Sequence, residues 1–206
     1  MSEDSLVFYT NPQSRGRIGR WMLEEVAVPY RTEVVQFGDA MKSAQYLSIN
    51  PMGKVPAIVH NGKVVTEVAA ICAYLADACP EARLAPPLSE RGNYYRWLFF
   101  VAGPLEAAVT NKALKVEVPA EREGMVGYGN FDRVVETLVK AVSGRRFIAS
   151  DRFTAADLYV GSHINWGMQF GTLPRHPEFV RYWEELGSRA ACKRANELDD
   201  RLVAKQ

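Results

Sequence analysis

The sequence contains few of the residues that build metal centres or redox sites. Three cysteines and three histidines occur among 206 residues, with no C-x-x-C pair and no H-E-x-x-H pattern. The charge is nearly balanced, since 25 Lys and Arg stand against 24 Asp and Glu for a formal net charge of +1. A protein that attracts nucleic acid electrostatically carries a basic patch instead. We therefore expect no metal and no nucleic-acid partner.

Long apolar runs are absent as well. No stretch approaches the roughly 20 apolar residues that cross a membrane, and no apolar signal region follows the acidic first residues. We expect a cytoplasmic protein without a membrane partner. Cys72 and Cys79 share one predicted helix but lie too far apart along it for a disulfide. We interpret them as core or near-surface thiols.

Two short apolar runs, 57–59 and 64–65, lie on either side of an Asn-Gly turn. Asn-Gly between such runs is a strong hairpin signal, so these residues predict an antiparallel hairpin. Thr66 is a favourable N-cap residue, and we predict a helix that begins at Glu67. Its buried face is expected to consist of apolar residues at helical spacing, namely Val68, Ile71, Cys72, Leu75 and Ala76.

Pro56 precedes the first of these runs. It has no N–H and cannot complete a sheet ladder there. An X-Pro bond has only a small trans preference, so we predict a native cis bond between Val55 and Pro56. We expect the N–H and C=O of Val55 to face outward, available to a peptide-like ligand. An edge-strand proline without any ligand is the alternative.

The N-terminal part of the sequence predicts a β-α-β unit. The patterns indicate a strand over 6–9, a helix over about 14–26 and a second strand over 31–35. Such a unit is normally right-handed with parallel strands, and the later hairpin adds antiparallel strands at its edge. The result is a small α/β layer.

Proline density marks a boundary after the next helix. Three prolines between Cys79 and Leu88 end that helix and indicate a semi-rigid linker. From Glu90 onward the apolar pattern is helical. Thr154 and Asp157 form a Thr-x-x-Asp capping box that begins a further helix. We predict a first domain over 1–80, a linker over 81–88 and an all-helical domain over 89–206.

Five segments of this sequence occur in a characteristic order, at 9–12, 21–26, 28–30, 50–56 and 66–67. Their order resembles that of soluble, bacterial-type glutathione S-transferases, over nearly the whole chain. The resemblance implies an α/β thioredoxin-like N-terminal domain followed by an all-α helical-bundle C-terminal domain. It also implies a cytoplasmic homodimer that conjugates glutathione, its co-substrate, to a small-molecule hydrophobic electrophile in detoxification.

The resemblance implies a glutathione site around the hairpin. Val55, beside Pro56, would pair with the peptide backbone of glutathione like an added strand. Glu67 would accept from the γ-glutamyl ammonium, while backbone N–H groups at Glu67 and Val68 hold the adjoining carboxylate. Lys54 would lie near the other carboxylate, although a solvated lysine is an equal alternative. The family commonly has Ser after this Glu, so Val68 removes one hydroxyl contact.

Activation of the glutathione thiol is expected in the loop between the first strand and the first helix. A thiol with a pKa of about 8.5 needs stabilisation of its anion near neutral pH. Counting back from the Trp and paired Glu residues of the helix, Ser14 matches the catalytic serine of serine-type members. Tyr9, Asn11 and Gln13 remain alternative residues for this role, and Gln13 is also a candidate contact to glutathione. Ser14 also fits a simple helix N-cap.

Residues 11–14 occupy the position where redox proteins with a thioredoxin fold carry Cys-x-x-Cys. Because neither end is cysteine, dithiol exchange by the protein's own thiols is excluded there, as is a cysteine-type transferase. A glutathione-dependent isomerase or peroxidase stays open, and so does a non-catalytic interaction module with this fold. The combination of Glu67, Val55-Pro56 and a loop hydroxyl favours a glutathione-dependent enzyme over the module.

Three arginines lie early in the first predicted helix, where the helix dipole disfavours positive charge. We expect Arg20 to reach solvent and pair with Glu24 one turn later. Arg15 and Arg17 are expected to meet an anionic ligand or a carboxylate of a partner subunit, or else to reach into solvent.

Overall fold

A four-stranded mixed sheet organises the first part of the chain. The computed structural model describes residues 5–204, and its strands are β1 (Leu6–Thr10), β2 (Arg31–Val34), β3 (Ala57–His60) and β4 (Lys63–Thr66). Their order is β2-β1-β3-β4, with β1 and β2 parallel and the other pairs antiparallel. The predicted β-α-β unit and hairpin are confirmed. Asn61 and Gly62 form the turn with φ values of 50° and 77°, as a tight two-residue hairpin requires.

The same part of the chain contains four helices. They are α1 (Gly16–Val26) between β1 and β2, α2 (Asp39–Lys42) and α3 (Ala44–Leu47) between β2 and β3, and α4 (Val68–Ala78) after β4. Helix α1 begins two residues later than predicted. The apolar face predicted for α4 is buried as expected, in Val68, Ile71, Cys72, Leu75 and Ala76. The thioredoxin-like arrangement predicted for the N-terminal part is therefore present.

The start of α4 corrects the predicted helix cap. Thr66 is the last residue of β4, where it pairs with Ala57, and Glu67 is the N-cap. Glu67 has φ 63° and ψ 118°, and no side chain of residues 5–204 caps the helix. The prediction was wrong because the capping preference of Thr66 competes with its pairing in the sheet, and the strand continues through it.

The described residues form two compact units. Residues 5–84 and 189–204 belong to the first, and residues 85–188 form the second. The division falls inside the predicted linker, but the last helix joins the first unit, contrary to the prediction of one C-terminal domain over 89–206. Charged side chains of α1 hold this helix, as described below. The ends of the predicted domains, 1–4 and 205–206, lie outside the described residues.

The second unit contains only helices as regular secondary structure, within the described residues. Its helices are α5 (Arg91–Phe100), α6 (Glu106–Ala113), α7 (Phe131–Val142), α8 (Ala155–Gln169) and α9 (Pro177–Gly187), and α10 (Ala190–Val203) follows in the first unit. A π-helical segment, Val101–Leu105, joins α5 to α6. Short 3₁₀ helices occur at Pro80–Ala82, Leu88–Glu90 and Ala120–Met125. No helix within residues 5–204 has the length and apolar character needed to span a membrane.

The predicted capping box at the start of α8 is confirmed and forms a buried polar cluster. Asp157 Oδ2 accepts hydrogen bonds from the backbone N–H and the hydroxyl of Thr154, both at 2.8 Å. Its Oδ1 accepts from the Ile148 N–H and from the Tyr182 hydroxyl, both at 2.7 Å. Burial raises the pKa of the Asp157 carboxyl, and these hydrogen bonds oppose that rise. The box is therefore a folding element of the second unit.

Candidate functional site

Ser14 lies in the turn that leads into α1 and already makes two hydrogen bonds. Its hydroxyl donates to the Asn11 carbonyl at 2.7 Å and accepts from the Gly16 N–H at 2.9 Å. The Ser14 hydroxyl therefore stabilises the turn before α1. The N-cap of α1 is Arg15, and no side chain of residues 5–204 caps the helix, so the expectation that Ser14 is a simple N-cap was wrong. Its side chain remains half-exposed, and rotation about the Cβ–Oγ bond would redirect its proton toward a ligand.

Asn11 is fully buried and ties the loop to the end of β2. Its Nδ2 donates to the Val35 carbonyl at 3.1 Å, and its Oδ1 accepts from the Gln13 N–H at 3.0 Å. The Asn11 carbonyl is the acceptor for both the N–H and the hydroxyl of Ser14. These bonds aim the Asn11 side chain into the protein, so it shapes the loop. Gln13 is exposed.

Tyr9 and Val55 are brought together by one small apolar cluster. Both side chains pack against a cluster that includes Tyr46, and the Tyr9 and Tyr46 ring centroids are 5.9 Å apart. The end of β1, where the loop of residues 11–14 begins, therefore lies near the segment that precedes β3. Tyr9 is half-buried at this junction.

The Val55-Pro56 bond is cis, as predicted. Within residues 5–204, no hydrogen bond engages the N–H or C=O of Val55. The preceding Lys54 carbonyl accepts from the Tyr46 hydroxyl at 2.6 Å and from Asn50 Nδ2 at 2.8 Å. These two side chains fix the segment while the Val55 backbone groups remain available.

Tyr46 and Asn50 are the positioning residues that the sequence prediction missed. Burial raises the pKa of Tyr46 to about 12, so its hydroxyl stays protonated and donates throughout the neutral range. Asn50 belongs to the recognised 50–56 segment, and an Asn before a Pro could have suggested a side-chain bond to the backbone. Nothing in the sequence indicates the role of Tyr46.

Glu67 combines an unusual backbone conformation with an exposed carboxylate. A φ of 63° in a residue other than glycine is strained, and such strain is concentrated at functional sites. The first N–H groups of α4 have no partner inside the helix, and within the described part of the chain no side chain caps them. Val68 is buried, so only its backbone N–H is available there. This helix start can therefore hold a carboxylate through N–H groups and an ammonium through Glu67.

Lys54 is exposed, and Lys42 at the end of α2 lies in the same region. A β-carbon placed on Gly53 would lie 2.9 Å from Lys42 Nζ and 2.7 Å from the Met41 carbonyl. Gly53 also has φ 58°, so a larger residue would meet both strain and collision there. Lys42 thus brings a second ammonium group close to Gly53, next to Lys54 in the chain, and the sequence analysis did not identify it.

The prediction for Arg20 was wrong. Its side chain is 3 % exposed, and its Nε donates to Asp199 of α10 at 2.8 Å. Nη1 donates to the Tyr30 hydroxyl at 3.2 Å and to Thr32 Oγ1 at 3.0 Å. Burial raises the pKa of Asp199, and Arg20 acts in the opposite direction. The helical pattern did not identify this pairing because Asp199 is distant in sequence.

Arg17 also pairs within the chain. Its Nη2 donates to Asp200 at 2.7 Å, and its Nε donates to the Pro12 carbonyl at 2.6 Å. We expected Arg17 to meet an anionic ligand or a carboxylate of a partner subunit, or else solvent. It meets a carboxylate of its own chain instead. Arg15 is exposed.

Comparison with known proteins gives the family. Residues 16–78 match the model described as "Glutathione S-transferase, N-terminal domain". The glutathione S-transferase GST-4.5 of Xanthomonas campestris is 30% identical over 172 residues, which cover 79% of this chain and 83% of that protein. The glutathione S-transferase GstA of Escherichia coli O157:H7 is 30% identical over 124 residues, 59% of this chain and 61% of that protein.

A solved structure supports the same assignment over a greater length. The glutathione transferase of Methylococcus capsulatus has a TM-score of 0.78 and 25% identity, covering 95% of this chain and 98% of that chain. The two units of the chain and the length of the match to the Xanthomonas relative identify the chain as a glutathione transferase. The chain belongs to the glutathione S-transferase family.

Proposed function

We propose that the chain binds glutathione in its first unit and adds the glutathione thiolate to a hydrophobic electrophile. The observation that carries this proposal is the unbonded backbone N–H and C=O of Val55. A peptide unit that meets this edge forms two hydrogen bonds, as an added strand would. The cysteinyl unit of glutathione supplies such a peptide unit, and its thiol would then lie toward the loop after β1.

The two ends of glutathione have matching groups in the first unit. The start of α4 offers N–H groups to the γ-glutamyl carboxylate, and Glu67 offers a carboxylate to the γ-glutamyl ammonium. The exposed ammonium groups of Lys54 and Lys42 suit the glycyl carboxylate. Val68 provides no hydroxyl, so this end relies on backbone donors.

The proposed chemistry requires stabilisation of the thiolate, because the thiol itself is a weak nucleophile. In the serine-type assignment, the Ser14 hydroxyl turns from the Asn11 carbonyl and donates to the sulfur. The thiol proton passes to solvent, and the sulfur electron pair forms a bond to the electrophilic carbon. The bond from that carbon to the leaving group breaks, and the leaving group departs with the electron pair of that bond. Tyr9 and Gln13 remain alternative donors, whereas the inward orientation of Asn11 fits a supporting role in the loop.

The family resemblance also supports a homodimer that functions in the cytoplasm. Sedimentation velocity at several protein concentrations tests the dimer. Cell fractionation in the source organism tests the location. Neither result bears on the glutathione site of the first unit, which is tested separately.

The decisive experiment is calorimetry with glutathione, followed by an ultraviolet difference spectrum of the bound thiolate. S-methylglutathione serves as the matched ligand without an ionisable thiol. Binding of both ligands with a thiolate signal from glutathione alone, together with turnover of an aryl halide, supports the transferase. If the protein binds glutathione but does not conjugate it, peroxide reduction and isomerisation are the reactions to assay next. Absence of binding at millimolar glutathione supports the interaction module instead.

A further inference from the structure

Four ion pairs join α1 to α10 and to its N-cap residue, Arg189, in a regular order. Glu25 pairs with Arg189 at 2.6 Å, Glu24 with Arg194 at 3.2 Å, Arg20 with Asp199 at 2.8 Å, and Arg17 with Asp200 at 2.7 Å. As the residue number rises along α1, it falls along α10, so the helices run antiparallel. The C-terminal end of α10 therefore lies beside the N-terminal end of α1, where the loop of residues 11–14 enters the helix.

The last of these pairs reaches the loop itself. Arg17 donates through Nη2 to Asp200 and through Nε to the Pro12 carbonyl. Pro12 follows Asn11, whose carbonyl receives both bonds from Ser14. One guanidinium thus connects the last helix to the turn in which the candidate thiol activators lie.

We propose that Arg17 is a positioning residue for thiol activation and that Asp200 holds it in place, so that α10 sets the conformation of the loop of residues 11–14. The proposal rests on the proposed function, because it assigns a role in ionising bound glutathione. The planar guanidinium can bond two acceptors at once in a fixed geometry. The Pro12 carbonyl is thereby fixed, and with it the direction of the donors in the loop.

Because the Arg17–Asp200 pair is partly exposed, its effect on the loop can be measured separately from its effect on stability. The Asp200 side chain is 67% exposed and the Arg17 side chain 25%. An ion pair at this exposure contributes little to stability. The buried Arg20–Asp199 pair fixes α10 independently. Removing the Asp200 carboxylate should therefore leave the fold intact and alter the loop.

The test compares Asp200→Ala with Glu197→Ala in the full chain. Glu197 lies on the same helix and pairs with Arg201 at 3.9 Å, with both side chains largely exposed. Among the described residues, Glu197 forms no ion pair with the loop of residues 11–14. Asp200→Ala should raise the apparent pKa of the bound glutathione thiol by up to about one unit and lower kcat/KM at neutral pH by up to about tenfold. Its affinity for S-methylglutathione should change less than about twofold, because the backbone and carboxylate contacts remain.

A second measurement does not depend on glutathione. Amide hydrogen exchange at Gln13 and Ser14, whose N–H groups bond to Asn11, should be faster in Asp200→Ala and unchanged in Glu197→Ala. Arg17→Lys should give the same pattern, since an ammonium does not reproduce the two-way bridge.

The possible results separate the two proposals. If the unmodified protein binds and ionises glutathione but Asp200→Ala leaves the pH profile and loop exchange unchanged, only the positioning role is overturned. If the unmodified protein fails to bind glutathione, the proposed function is overturned and the role in thiol activation with it. A pH profile that shifts equally in Glu197→Ala also overturns the positioning role, because a general electrostatic effect then explains the shift.

Discussion

The Tyr46 hydroxyl donates a 2.6 Å hydrogen bond to the Lys54 carbonyl and so holds the residue next to Val55. Asn50 shares the same acceptor. The Val55 backbone, which we propose as the docking edge for glutathione, therefore depends on a side chain from α3. Its conformation is fixed before any ligand arrives, which lowers the entropy lost on binding.

Tyr46→Phe should weaken glutathione binding by roughly 0.5–1.5 kcal/mol, the usual net value of one hydrogen bond. Asn50 still donates to the Lys54 carbonyl in this variant, so the segment around Val55 should become more mobile but keep its conformation. Calorimetry measures the loss. Tyr95→Phe, which removes an exposed hydroxyl in the second unit, is the matched control. An affinity for glutathione equal to that of the control would refute the role of Tyr46.

Glu67→Gly should change stability and binding in opposite directions. Glycine adopts a positive φ without strain, so the free energy of unfolding should rise by about 1 kcal/mol. Loss of the carboxylate should weaken glutathione binding by roughly 1.5–3 kcal/mol. Denaturation and calorimetry measure the two effects. Arg83→Gly, at another residue with φ 55°, should reproduce the gain in stability alone, and a parallel loss of binding there would contradict the assignment.

Ser14→Ala tests the thiol donor. Removing the acceptor for the Gly16 N–H should cost about 1 kcal/mol of stability, the usual net value of one hydrogen bond. If Ser14 donates to the thiolate, the apparent pKa of the bound thiol should also rise by about one unit. The loss in kcat/KM should then be largest at neutral pH and small at alkaline pH.

The control for Ser14 is Ser150→Ala, since that hydroxyl also donates and accepts within a turn. It should lower stability without moving the pH profile. A profile that stays unchanged in Ser14→Ala but moves in Tyr9→Phe or a Gln13 variant would transfer the donor role to that residue.

The three cysteines should be unreactive in the folded protein. All three are free and buried, and burial raises the pKa of Cys72 to about 12 and that of Cys192 to about 11. A thiol reagent at pH 8 should therefore label the native protein slowly and label three thiols after unfolding. Rapid native labelling of Cys72 would contradict this burial.

The same burial gives a signed pH dependence of stability. The pKa of a cysteine in the unfolded chain is about 8.5, below the folded value for Cys72. Between these two pKa values, the folded state keeps the Cys72 thiol proton whereas the unfolded chain loses it. The contribution to stability is complete below about pH 8.5 and is lost as the pH rises above it. The decline in free energy of unfolding at alkaline pH should be smaller in Cys72→Ala.

Local signals in the sequence were sufficient for several elements of the fold. The Asn-Gly turn determined the hairpin, the apolar spacing determined the buried face of α4, and Thr154 with Asp157 marked the start of α8. Each depends on residues within one turn or one hairpin, where dihedral preferences and side-chain periodicity act directly. The Val55-Pro56 cis bond was also identified in this way.

Only the tertiary structure decided the features that depend on residues distant in sequence. Arg20 meets Asp199 across 179 positions, and this pairing turns an expected surface arginine into a buried one and places α10 with the first unit. Tyr46 reaches Lys54 because α3 packs beside the segment that precedes β3, and Glu67 becomes the N-cap because β4 extends through Thr66. In each case a contact made in the folded chain outweighs a local preference, since packing and pairing free energies exceed the few tenths of a kcal/mol that separate local alternatives.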